Sequence, residues 1–406
     1  MKARDFMILY NDKKECSGCA ACLNICAKQA ITMQPDEDGF IYPTVNDNLC
    51  IECGHCRTVC AFQIGVVTAD VPLATYVAIN KNQSVLAASS SGGAFAALAS
   101  IIFEQNGVVF GCTYNSDMEP MHIGIDNLTD MKKLQGSKYV QSNINHTYLE
   151  AKKYLELGNR VLFTGAPCQI AGLKSYLRTD YENLITADII CHGVPSAEFF
   201  KGYIKHLEAK LKGKVIDFRF RDKEKGWGLM GKIIYIKNGV VLEQLIPPIT
   251  SYYYSCFLKG EIYRESCYDC KYAGGGRQGD FTMGDYWGIE KSHPEIDIKN
   301  GISVLLVNSA KGIKLIEKLE KHLTLVHSTF EQARVHNEQL RQPTKRSEKR
   351  AAILKIWREG GYQAIADRYY RLNRRKMISY RIKKLIPPRV KELVKLIMIK
   401  ESLDKR

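Results

Sequence analysis

The stretch "RVLFTGAPCQIAGLKSYL", Arg160–Leu177, joins a short apolar run to a helical pattern across a Gly-Ala-Pro turn. A strand that feeds directly into a helix is the repeating unit of an α/β sheet. The same alternation continues on both sides. "GVVFGCTY", "LITADIIC" and "ISVLLVN" read as further strands, and 92–105, 147–157, 168–178, 196–211 and 310–321 read as helices. Residues 73–340 are therefore expected to form an α/β domain with a mainly parallel sheet. "VIDFRFRD" and the stretches after it are expected to form a small antiparallel insertion. The opening stretch also poses a chemical question. Cys168 could be a packing residue, a redox thiol, or one ligand of a metal centre whose other ligands lie elsewhere.

Fourteen cysteines make that question general. The chain has no uncharged apolar run long enough for a transmembrane helix, and its start lacks the pattern of a secretory signal. A cytosolic, reducing location is expected, where disulfides are rare and cysteines serve metal or redox chemistry. Eight of the fourteen fall in residues 1–70. Cys16, Cys19, Cys22, Cys26 and Cys50, Cys53, Cys56, Cys60 both follow C-x2-C-x2-C-x3-C. At that spacing the first three thiolates wrap one 4Fe–4S cluster and the fourth reaches the other cluster. Cys16, Cys19, Cys22 and Cys60 are thus expected to hold one cluster, and Cys50, Cys53, Cys56 and Cys26 the second. A pair of zinc knuckles would need no third cysteine in each group. Ala27 and Ala61 stand where such motifs often carry proline, which alters the turn and not the ligation. "PDEDGFIYPTVNDN", between the groups, reads as a hairpin. Residues 1–70 are accordingly read as an α+β ferredoxin-like cluster module.

Six cysteines remain. Cys168 and Cys191 each follow a strand, and ligands in open α/β sheets gather at the carboxyl ends of strands. Cys267 and Cys270 form a C-x2-C that could complete a four-thiolate site there. Buried thiols beside a zinc or dithiol site are the competing reading. Cys112 and Cys256 sit in apolar or aromatic runs and read as packing residues.

"SSSGG", Ser89–Gly93, precedes a helix and offers hydroxyl caps and flexible backbone for a phosphate-bearing ligand. Valine at Gly92 and Gly93 would then block the ligand's approach. "GSKY" adds Lys138 and Tyr139 beside a second glycine–serine turn. Asp280 and Asp285, in "GGGRQGDFTMGDYWG", are either turn-formers or cofactor contacts, and His192 reads as structural.

The net charge of +15 is concentrated in one segment. Residues 341–406 hold 21 Lys+Arg against 6 Asp+Glu, so the rest is neutral and gives no sign of nucleic-acid binding. This segment reads as a helical basic C-terminal tail. Val390, Leu393, Val394 and Ile397 form one apolar stripe flanked by lysines. Such a helix can pack on the body or a partner subunit, or lie on an anionic membrane surface at the inner face of the membrane.

In order through the body, "SSSGGAFAAL", "GCTYN", "LQGSKYVQS", "FTGAPCQIAGL", "IICHGVPS", "FRFRDK", "SCYDC" and "GDFTMGDYWG" carry a family resemblance. The chain resembles the beta subunit of coenzyme F-420 hydrogenase/dehydrogenase, in the version fused to an N-terminal two-cluster ferredoxin module. The resemblance spans roughly residues 10–330. It extends to bacterial members similar to those encoded beside polysaccharide pyruvyl transferases. The resemblance implies FAD near Ser90, Ser91, Gly92, Gly93, Lys138, Tyr139 and Asp285. It also implies a third 4Fe–4S cluster on Cys168, Cys191, Cys267 and Cys270. The implied function is an iron–sulfur flavoprotein oxidoreductase. It would pass electrons between a redox partner protein or ferredoxin, the clusters and FAD, with hydride transfer to or from a small organic substrate. A deazaflavin, a chlorin or a sugar-linked carbonyl would each fit as that substrate. The alternatives are an electron-transfer subunit whose catalysis lies in a separate partner, and a non-enzymatic protein stapled by its clusters.

Overall fold

The computed structural model describes residues 9–65 and 71–385. Between the two cysteine groups, β1 (Ile31–Pro35) and β2 (Ile41–Val45) pair antiparallel, with Ile31 opposite Val45. Asp36 makes the turn, its Oδ1 accepting from the Asp38 and Phe40 N–H groups. The expected hairpin is therefore present. Each cysteine group winds into a short helix, Ala21–Ile25 or His55–Thr58, entered through the left-handed residues Ala20 and Gly54. Ala20, at φ 62°, is a side-chain-bearing residue in a region that disfavours one, so the surrounding loop must hold it there.

The body is built on β3 (Ala74–Asn80), β4 (Val108–Tyr114), β5 (Pro120–Ile125), β6 (Val161–Gly165) and β7 (Leu184–Ile189). A side insertion comes next, as β8 (Lys214–Arg219), β9 (Gly231–Lys237) and β10 (Val240–Ile246). The sheet is then completed by β11 (Phe281–Asp285), β12 (Ser303–Val307) and β13 (Leu323–Ser328). Its order is β13-β3-β12-β11-β7-β6-β4-β5. The four central strands β4, β6, β7 and β11 are parallel, and antiparallel strands extend the sheet on both sides. β8–β10 form the separate antiparallel sheet that the sequence suggests.

Alternation along the central strands assigns the two faces. Val109, Leu162 and Ile185 pack with the helix Ala94–Phe103. Val108, Phe110, Val161, Phe163 and Leu184 pack with the helices Thr147–Glu156 and Pro167–Leu177. Full burial of one such side chain contributes about 1.5–3 kcal/mol, which is why the apolar strands sit at the centre. The pattern at 310–321 resolves into two single turns, Ala310–Ile313 and Ile316–Leu319, instead of one helix. Gly312 lies so close to β12 that an added Cβ would stand 2.8 Å from Val307 Cγ1, and glycine weakens a helix.

The last helix, Arg350–Leu385, bends at Gly361 (φ 62°, ψ −165°). Its first half is core and not a solvated tail. Ile353, Tyr362, Ile365 and Ala366 pack with the helix Ala197–Leu211 and with β8–β10. The stripe at Val390, Leu393, Val394 and Ile397 lies outside the described residues. Among the described residues no helix is long and apolar enough to cross a membrane.

Candidate iron–sulfur and cofactor site

The structure brings Cys60 to the first cysteine group and Cys26 to the second. Burial pushes the Cys19 thiol up to about 11 against the Ala21 N–H, and the nearby Cys60 and Cys16 add to the rise. Cys22 is raised well above its ordinary range by burial and by Cys19, Cys16 and Cys60. Cys56 is raised by burial, with Cys53 and Cys26 adding to it. Thiols crowded together out of water resist ionising, and a bound cation removes that resistance. Cys53 is the exposed member of the second group.

The four body cysteines also converge. Burial raises Cys168 well above its ordinary range, followed by Cys191, Cys270 and Cys267 in turn, and then by Cys19 of the module. Cys191 is pushed up to about 12 by burial and Cys270, with the Gly193 N–H opposing. Cys267 rises through burial, Cys191 and Cys270, opposed by the Val194 N–H. The convergence results from topology. Cys168 opens the helix after β6, Cys191 lies just beyond β7, and β6 and β7 are parallel neighbours. The Cys267–Cys270 loop is drawn against the end of β7 by Arg277, which donates to the Tyr272 carbonyl (3.0 Å), the Ile189 carbonyl (2.9 Å) and Asp188 (2.9 Å).

Two details fit both cysteine sets to clusters. The Tyr272 hydroxyl is buried with no hydrogen-bond partner among the described groups. Burial raises its pKa, and Cys168, Cys19, Cys270 and Cys60 raise it further, so it lies between the sets. Cluster sulfur would give it an acceptor. At Gly172 an added Cβ would stand 2.9 Å from Cys19 Sγ, so the helix carrying Cys168 presses directly on the first cysteine loop.

A cavity of about 320 Å³ opens over the carboxyl ends of the central strands. Its wall includes Cys168, Cys191, Cys267 and Cys270 together with Ser90, Ser91, Gly93, Lys138, Tyr139 and Asp285. The Ser90 hydroxyl accepts from the Ser137 N–H at 2.8 Å, which ties the two glycine–serine turns together. The serines do not cap the following helix. Its N-cap is Gly93, at φ 81°, with no side-chain cap. Gly92 is absent from the cavity wall, and its lack of a side chain has another cause. An added Cβ would stand 2.0 Å from the Ala78 carbonyl oxygen and 2.5 Å from the Ser303 nitrogen. Gly92→Ala should therefore destabilise the fold by about 1–3 kcal/mol, read by thermal unfolding. Valine there would damage the sheet before it could report on any ligand.

Other expected contacts are already committed to protein partners. Asp285 Oδ1 accepts from Arg221 Nη2 (3.0 Å) and Trp227 Nε1 (2.9 Å), and its Oδ2 accepts from Arg221 Nη1. Asp280 is a structural buried acceptor for Thr186 and Ser309. Tyr139 stacks on Phe257 at 4.2 Å. Lys138 differs: its ammonium donates to the carbonyls of Leu134, Gln135 and Gly136, and no carboxylate among the described residues pairs with it. His192 lines the wall, and burial lowers its pKa. Cys256 is a core residue as expected, whereas Cys112 lines the cavity.

The family model for the C terminus of the coenzyme F420 hydrogenase/dehydrogenase beta subunit matches residues 158–332, and that for a 4Fe-4S dicluster domain matches residues 15–64. The chain belongs to the coenzyme F420 hydrogenase/dehydrogenase beta subunit family. No curated protein matches it. Among solved structures, a chain of the F420-reducing NiFe hydrogenase complex from Methanosarcina barkeri is similar, at 14% identity and a TM-score of 0.45. That match covers 73% of this chain and 97% of the other. The protein is thus an iron–sulfur protein of a redox family, with its dicluster module on one side of the α/β body.

In this family member the cavity also holds residues that no motif announced. His122, on β5, contacts the Thr164 carbonyl through Nε2 (3.0 Å) and the Ser142 hydroxyl through Nδ1 (2.9 Å). A carbonyl only accepts, so the ring proton sits on Nε2. Burial pushes the His122 pKa down to about 4, so the ring is neutral at pH 7. Lys223 reaches the Leu86 and Ser91 carbonyls, both at 2.6 Å, and burial lowers it to about 8. Lys138 and Lys223, neither with a carboxylate partner among the described residues, flank the serine-rich turn. That donor set suits a phosphate-bearing ligand.

Proposed function

We propose that the protein is an iron–sulfur flavoprotein oxidoreductase. It takes electrons from, or gives them to, a partner redox protein and exchanges hydride with a small organic substrate. In this reading Cys16, Cys19, Cys22 and Cys60 hold one 4Fe–4S cluster, and Cys50, Cys53, Cys56 and Cys26 hold a second. Cys168, Cys191, Cys267 and Cys270 hold a third. FAD occupies the cavity. The observation that carries the reading is the shared wall: one cavity is lined by all four body cysteines and by both glycine–serine turns. Flavin, when bound, interconverts two-electron hydride transfer and the one-electron steps that clusters support. The chain's own residues bind and orient. Lys138 and Lys223 set positive charge beside the serine turn, while Tyr139 and Trp287 give the wall aromatic faces. His122 stays neutral and donates its Nε2 proton to the Thr164 carbonyl.

Full-length protein purified anaerobically tests the assignment. About twelve iron atoms and one flavin per chain are expected, four irons for each cubane. Cys191→Ser should lose about four irons and keep about eight. A wild-type protein with about eight irons, unchanged in Cys191→Ser, would remove the third cluster and return these cysteines to the core. Absence of flavin absorbance would leave an electron-transfer subunit with catalysis in a partner.

A further inference from the structure

Four arginines of the described chain are buried: Arg221, Arg264, Arg277 and Arg350. Three have carboxylate partners, namely Asp285, Asp188 and Glu265. Arg264 has none among the described residues, although it is 0% exposed. Its Nε donates to the Cys16 carbonyl at 2.8 Å, and Nη1 donates to the Ile41 carbonyl at 2.9 Å and Gln141 Oε1 at 3.2 Å. Nη2 points at Cys16 Sγ, 3.6 Å away. The guanidinium lies against the Tyr42 ring, 3.9 Å from its centroid. These acceptors are neutral, apart from a thiol that can become a thiolate. A buried cation without a counter-charge costs several kcal/mol, so the fold must supply one.

The position of Arg264 on the chain matters as much. Its N–H donates to the Val194 carbonyl at 2.9 Å, and its own carbonyl accepts from the Cys267 N–H at 3.0 Å. The backbone that positions Cys267 therefore also positions this guanidinium against Cys16. Its charge reaches Cys267 as well, opposing the rise that burial imposes on that thiol.

We infer that Arg264 is the counter-ion of the cluster on Cys16, Cys19, Cys22 and Cys60. It favours that cluster's reduced, more negative form and makes it the better electron acceptor of the two in the module. All of the guanidinium's sulfur contact is with the first cysteine group, so the effect is confined to one cluster. Burial in a medium of low dielectric strengthens it, and exposed Cys53 of the second group has no such shelter. The inference rests on the cluster assignment proposed above.

The test is an EPR-monitored redox titration of the full-length, anaerobically reconstituted protein, with iron and sulfide determined in parallel. In Arg264→Gln one module signal should shift. At a fixed potential its reduced-to-oxidised ratio should fall about tenfold, ~59 mV for a one-electron couple, while the other signal stays put. Arg264→Lys keeps the charge but loses the planar fork, so a smaller fall in the same signal is expected. If Arg264→Gln loses its iron, Arg264→Lys decides: a fall in one signal supports the inference, and two unchanged potentials overturn it. Full iron with both potentials unmoved, or both moved equally, in Arg264→Gln also overturns it. Wild-type protein lacking the module's EPR signals would instead overturn the cluster assignment itself.

Discussion

Asp188→Ala should destabilise the protein by about 3–5 kcal/mol and strip iron from the body cysteines. Asp188 is 0% exposed at the end of β7, and four donors converge on it. Oδ1 accepts from Arg277 Nη2 (2.9 Å) and Thr282 Oγ1 (2.6 Å), and Oδ2 accepts from the N–H groups of Gln278 and Gly279 (2.9 Å each). Removing the carboxylate leaves a buried guanidinium without its counter-charge and two buried backbone donors unpaired. The loop that loses its anchor is the one Arg277 ties to Tyr272, two residues beyond Cys270. Arg277→Met should be milder, because Asp188 keeps three donors. Thermal unfolding and iron content of the two variants check the order. An Asp188→Ala protein within about 1 kcal/mol of wild type and with full iron would show that the network does not hold the cysteine loop.

How much of this was legible in the sequence depends on how local each signal is. The C-x2-C-x2-C-x3-C spacing is local, so the module and its crossed ligand sets could be read from residue types alone. The strands "RVLFTG" and "LITADIIC" are continuous apolar runs, the mark of strands buried on both faces. Placing Cys168 and Cys191 at neighbouring strand ends required only that those strands pair in parallel. Signals that exist only in three dimensions stayed hidden. Arg264 meets Cys16 across 248 residues, and His122 meets Thr164 across 42. Gly92 looked like a ligand-binding glycine because a glycine pressed against a sheet and one pressed against a ligand read alike. Edge strands β3, β5 and β13 lacked uninterrupted apolar runs. The first half of the last helix was masked by its charge: Arg350 and Arg358 are as basic as the residues after them, yet Arg350 is buried and donates to the Tyr263 carbonyl at 2.8 Å.

That divided helix gives the second large effect. Tyr362→Ala should destabilise the body by about 3–5 kcal/mol, as for other large aromatic truncations in cores. Tyr362 packs edge-on against Phe199 (5.6 Å, 81°) and beside Tyr203 (5.3 Å), and its hydroxyl accepts from the buried Tyr253 N–H at 3.0 Å. Truncation opens a cavity in the aromatic core and orphans that donor. Tyr362→Phe loses only the hydrogen bond and should cost about 1–3 kcal/mol. Removal of residues 374–406 takes away 12 Lys+Arg and 3 Asp+Glu, most of the net positive charge. Within it the described side chains are mainly exposed, Ile378 at 46% and Ile382 at 55% among them. That truncated protein should unfold at nearly the wild-type temperature. Charge and core then separate along one helix, with the break after Tyr370. Comparing the melting of Tyr362→Ala with that of the truncated chain tests this directly, and equal losses in the two would place the boundary beyond residue 374.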